Sequence, residues 1–151
     1  MALLHRHAGV WEGEYTHLAA SDWSVLGTQR FRITVETFDS GPVSYRQTSH
    51  YWYPDGREET LVYEGVLRAT DDRVVFDNGR IHGECWAIEP DTLYLRFGFT
   101  AMPESNVTEM IQLSADGVRR ARTWHWFRDG ALEKVTLVRE RRVAERTFAN
   151  G

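Results

Sequence analysis

From Gly9 onward, apolar and polar residues alternate with a period of two over one short segment after another, the pattern of strands that bury one face. In the opening segment Trp11, Gly13 and Tyr15 share a side, a large indole beside a residue with no side chain. Residues 28–38 set Phe31, Ile33 and Val35 against Arg30, Arg32, Thr34 and Glu36, and residues 92–100 put Leu93, Leu95, Phe97 and Phe99 together. Residues 43–53 read differently. There Tyr45, Gln47, Ser49, Tyr51 and Tyr53 share one face and Ser44, Arg46, Thr48, His50 and Trp52 the other, so neither side is strongly apolar. A row of tyrosines with Gln and Ser predicts an interior that meets a polar ligand or ordered water.

Pro54-Asp55-Gly56, Asn78-Gly79, Ala115-Asp116-Gly117 and Arg128-Asp129-Gly130 are tight-turn signals, since their residues adopt turn geometry at little cost. With strand patterns at 58–69, 74–76, 80–89, 107–114, 118–127 and 131–143, the count reaches about ten. Tight connections leave no room for crossover helices, so an all-β antiparallel meander is expected. Closing it into a barrel removes the two edges that an open meander would expose. Residues 19–27 allow at most one helical turn, which leaves the barrel mouth open or covered by a loop carrying Trp23. Residues before Gly9, with His5 and His7, and those from Ala144 onward are expected to be loosely ordered ends.

The Gly-x-Trp of the first strand (Gly9, Trp11) and an arginine near the last, Arg139 or alternatively Arg141, resemble the calycins, the superfamily of lipocalins and fatty-acid-binding proteins. In that superfamily the guanidinium packs over the tryptophan and joins the two ends of the sheet, so the resemblance implies a calycin-like barrel spanning 1–151 as one domain. Composition agrees: 42% hydrophobic and 13% aromatic residues, with six tryptophans, can build a core and favour strands. A net charge of -4 does not announce nucleic-acid or anionic-membrane binding. Cys85 is the only cysteine, so no intrachain disulfide forms, and no signal peptide or membrane-spanning stretch is apparent. A soluble, cytoplasmic protein is therefore expected, which moves the comparison toward the fatty-acid-binding and nitrobindin-like branches or toward small barrel enzymes.

If the more apolar face of each strand turns inward, the interior collects Trp11, Tyr15, Phe31, Tyr45, Gln47, Tyr51, Tyr63, Phe97, His125, Leu137 and Arg139. His125 could be a general acid or base, a hydrogen-bonded core histidine, or an exposed residue in the opposite register. Arg139 either lies across Trp11 or, with Tyr45 or Tyr51, holds a ligand carboxylate. His82 and Glu84 share a strand face that is outward in one register and part of the pocket in the other, and two such groups are too few for a metal site. Cys85 reads as a small core residue. Nitrobindins hold haem through a histidine close to the C-terminal arginine, but residues 131–143 contain none.

Three functions are consistent with these residues. The first is binding of one small, partly apolar ligand, aromatic or bearing a carboxylate or carbonyl, with no cofactor and no metal. The second is a cofactor-independent lyase, isomerase, dehydratase or cyclase in the same barrel, with His125, Tyr45 and Tyr51 as its acid-base groups. Haem binding is the third and weaker reading. No nucleic-acid or membrane partner is expected, and homodimerisation is left open.

Overall fold

A computed structural model of the chain describes residues 2–143, so the C-terminal tail lies outside the described residues. After a short helix α1 (Ala2–Arg6) come ten strands: β1 (Gly9–Ala19), β2 (Val25–Thr37), β3 (Tyr45–Trp52), β4 (Glu58–Arg68), β5 (Arg73–Asp77), β6 (Ile81–Glu89), β7 (Thr92–Phe99), β8 (Met102–Leu113), β9 (Arg119–Arg128) and β10 (Ala131–Val143). Each pairs antiparallel with its sequence neighbours, and β1 also pairs with β10, so the sheet closes into a barrel. The closing ladder runs from Val10 opposite Val143 to Ala19 opposite Lys134, as continuous as any other seam. Among the described residues no helix is long and apolar enough to cross a membrane.

The lower end of the barrel is sealed by α1. Leu4 packs among Val74, Phe76, Ile81, Cys85, Leu93 and Ile111, and His7 is buried just after the helix. Five residues are too few to show helical periodicity, which is why this segment reads as a frayed end in the sequence. His5 stays exposed, with Nδ1 2.9 Å from the Thr37 hydroxyl.

Trp11 is fully buried at this end, and its indole N–H donates to the His7 carbonyl at 2.9 Å. Two guanidiniums lie over its ring, those of Arg120 at 4.3 Å and Arg142 at 4.4 Å from the centroid. Arg142 donates to the carbonyls of Ala8, of Arg6 at 2.7 Å and of Gly117 at 3.1 Å, so one side chain ties the helix, the first strand and the β8–β9 turn to the last strand. The closing contact expected from Arg139 or Arg141 is thus made by Arg142. Arg139 and Arg141 are exposed on the outer surface, because Val138, Glu140 and Arg142 take the inner positions of β10.

Gly13 supplies the close approach beneath this clamp. A Cβ there would sit 2.2 Å from the Arg139 carbonyl oxygen and 3.0 Å from the Phe31 ring, whereas at Gly27, on the next strand, a Cβ meets nothing within 4 Å. Gly13→Ala is therefore expected to lower the unfolding free energy by about 1–3 kcal/mol, the usual cost of overpacking, with Gly27→Ala close to neutral. Chemical denaturation of the two variants checks this; equal stabilities would contradict the packing described.

Candidate functional site

Above the sealed floor the barrel is hollow, with a cavity of about 400 Å³. One wall is the row predicted from β3 and its neighbour: Tyr45, Gln47, Tyr51 and Tyr53, then Leu61 and Tyr63 on β4. Tyr45 donates to Gln47 Oε1 at 2.7 Å, and the Gln47 amide donates to Ser49 at 2.9 Å, so these three side chains form a chain along the wall. Phe76, Leu95, Phe97 and Phe99 complete the apolar lining. Burial pushes the Tyr45 phenol well up, and pushes Tyr63 up to about 12, so both are neutral hydrogen-bonding groups at ordinary pH.

The opposite wall inverts the sequence expectation. On β9 the inward residues are Arg120, Arg122, Trp124 and Trp126, and His125 is half-buried on the outer face between Val135 and Thr108. On β10 they include Lys134, which lines the cavity, and the fully buried Thr136; Leu137, expected inside, is 43% exposed outside. The apolar-inside rule fails here because this wall faces inward with charges that find partners within the barrel. Arg122 donates to Glu109 of β8 at 2.5 Å and to Glu140 at 3.0 Å, and Arg120 donates to the other oxygen of Glu140. All four side chains are nearly inaccessible to water.

The two acids of this network are not equivalent. Burial pushes the Glu109 carboxyl up from its ordinary value against the pull of Arg122, whereas at Glu140 burial is outweighed by Arg120 and Arg122 together and the carboxyl is held down. Near them Tyr15 Oη and His7 Nε2 are buried with no hydrogen-bond partner among the described residues, and the Trp124 side chain interacts with Glu109. Phe31 is stacked on Tyr15, 4.4 Å between centroids, and Trp11 lies in the sealed core; neither lines the cavity.

Of the residues expected in a pocket, Tyr15, Tyr45, Gln47, Tyr51, Tyr63 and Phe97 are brought to one cavity, while His125, Leu137 and Arg139 face away from it. His82 is exposed, and Glu84 is held by Arg68 at 2.8 Å and Arg73 at 2.7 Å in a network at the surface. Cys85 is buried, its thiol pushed well up by burial, so it carries no thiolate. The sequence reading missed Glu109, Arg120, Arg122 and Glu140: Glu109 is a single acid among Val107, Ile111 and Leu113 on the apolar face of β8, and the only signal was that this acid and the alternate arginines of β9 stand on adjacent strands. Trp23 is 56% exposed, so it does not cover the mouth. No group of three potential metal ligands occurs among the described residues. β10 carries no histidine and His125 of β9 points outward, so the histidines that line the cavity are His7 and His17.

The chain is a closed ten-stranded antiparallel barrel with arginine laid over the first-strand tryptophan and a hollow aromatic interior. The chain belongs to the DUF3598 family: residues 1–145 match its N-terminal part, described as a domain of unknown function. A DUF3598 protein of unknown function from Nostoc punctiforme superposes with a TM-score of 0.67 at 15% identity, over 93% of this chain and 49% of the other, so this chain spans about half of that relative. The S-type phycobiliprotein lyase CPES from Guillardia theta superposes with a TM-score of 0.74 at 13% identity, over 96% and 93%. The barrel EF1p2_mFAP2b bound to DFHBI gives 0.50 at 14%, over 92% and 95%. No curated protein matches the sequence.

The floor network carries a pH signature. His7 is held neutral, its pKa lowered to about 3 by burial and then by the charge of Arg120. The unfolded chain takes up this proton near pH ~6.5, so the contribution of neutral His7 is complete above that pH and is lost progressively as the pH falls toward about 3. In His7→Gln the decline of unfolding free energy across this window is expected to be shallower by up to one proton, about 1.4 kcal/mol per pH unit. Denaturant titrations at several pH values measure it; parallel curves would remove His7 from the account.

Proposed function

We propose that this barrel binds one small, partly apolar ligand in its interior. The observation that carries the reading is the cavity itself, about 400 Å³ and lined by tyrosines, phenylalanines and leucines, within the ~300–1,000 Å³ range of small-molecule sites. The aromatic walls supply contact area at low entropic cost, while Tyr45, Tyr51 and Tyr63 offer hydroxyl groups along one side. Two proteins of similar fold point the same way: a phycobiliprotein lyase and a barrel bound to the small molecule DFHBI.

A second reading is an acid-base enzyme that needs no cofactor, a lyase, isomerase, dehydratase or cyclase. It is favoured by one feature, two buried carboxyl groups whose surroundings push their affinities for protons apart. On this reading Glu109, and not His125, moves the proton, with Tyr45 or Tyr51 holding the reacting group. Glu109→Gln would then abolish turnover of a bound substrate while leaving its affinity nearly intact.

The binding reading is tested with 1-pyrenebutanol, a neutral aromatic probe, followed by fluorescence. We expect one probe per barrel in the wild type and loss of binding in Leu95→Trp, whose indole would occupy the cavity, with the far-UV spectrum of the barrel retained. Equal binding by the two proteins would place the probe elsewhere and contradict the reading.

A further inference from the structure

The charges inside the barrel are already matched. Two cations, Arg120 and Arg122, face two anions, Glu109 and Glu140, through three hydrogen-bonded ion pairs. A ligand carboxylate lowered onto this floor would make a third anion against two cations where water is excluded, an arrangement that costs more than it returns. The floor suits an apolar end or a neutral acceptor such as a carbonyl, for which the buried Tyr15 hydroxyl remains without a partner among the described residues.

At the upper end the balance is different. Arg80, in the β5–β6 turn, and Lys134, near the start of β10, both line the cavity, and neither forms a salt bridge among the described residues. They stand four strands apart around the barrel, on nearly opposite walls. The Lys134 ammonium lies 4.4 Å from the centroid of the Trp126 ring, half-buried, with burial lowering its pKa and Glu133 opposing that shift. Glu133 is itself shared with Arg128, 3.4 Å away. The other titratable groups lining this end include His17, whose pKa is lowered by burial and by Lys134, Tyr53, whose phenol is pushed up by burial, and Glu59, which accepts a hydrogen bond from Tyr53 at 3.2 Å.

We propose that the mouth is a carboxylate site: an amphipathic ligand enters with its apolar or neutral end toward the floor and leaves its anionic end beside Arg80 and Lys134. The inference rests on the cavity being the binding site, and it fixes both the chemical class of the ligand, an apolar body with one carboxylate, and its direction. It also reverses the arrangement in which an interior arginine holds the carboxylate, since Arg120 and Arg122 are already engaged.

The test compares 4-(1-pyrenyl)butyrate with 1-pyrenebutanol, which share an apolar body and differ in the charged end. At low salt the acid is expected to bind the wild type more tightly than the alcohol, and in Arg80→Gln/Lys134→Gln to lose about tenfold in affinity, the order of one to two exposed ion pairs. The alcohol should stay within about twofold, and salt near 1 M should erase the advantage of the acid, because exposed charges are then screened. Glu59→Gln, which removes the acid at the mouth, should tighten the acid alone. If the alcohol binds and the acid is indifferent to the double variant, the mouth site is wrong and the cavity reading survives; if neither probe enters, both fall together.

Discussion

The barrel depends on a set of buried charges that neutralise one another inside it. Arg120 and Arg122 on β9 project inward between Glu109 on β8 and Glu140 on β10, three adjacent strands whose interior faces would otherwise carry uncompensated charge. Burying an arginine without a partner is very unfavourable, so these strands are constrained to a register that aligns the four groups. The same register brings Arg120 over Trp11 and presents Trp124 and Trp126 to the cavity. The floor, the seam and the wall of the site therefore share one origin.

This arrangement separates the interior into zones with different chemistry. Below, the charges are satisfied and the helix excludes water; in the middle, tyrosines and phenylalanines leave space and neutral donors; above, two cations line the opening without a carboxylate partner among the described residues. A ligand that matches all three zones has a direction, and the direction follows from electrostatics more than from shape.

Much of the fold was legible because alternation and turn chemistry are local properties. The turns at Pro54-Asp55-Gly56 and Asn78-Gly79 fall where the strands end, and the inward row of β3 followed from its tyrosines although neither side of that strand is strongly apolar. On β9 and β10 alternation gave the period but not the side. Leu137 is apolar yet exposed, while Arg122 and Glu140 are charged yet buried, and only partners contributed by other strands make that favourable. Arg142 was passed over for Arg139 for the same reason: a change of face moves the closing arginine without altering the pattern. The helix was invisible because its buried residues, Leu4 and then His7 beyond its end, acquire meaning only once a barrel end exists to receive them.

The coupling between Arg122 and Glu109 tests the central claim most directly. A double-mutant cycle of Arg122→Met and Glu109→Leu, read as unfolding free energy, isolates their interaction from the separate cost of each change. Arg122→Met should lose about 3–5 kcal/mol by stranding Glu109, Glu109→Leu should lose less because Arg122 keeps Glu140, and the double variant should recover a large part of the loss of Arg122→Met. Losses that simply add would mean that the two groups do not meet inside the barrel.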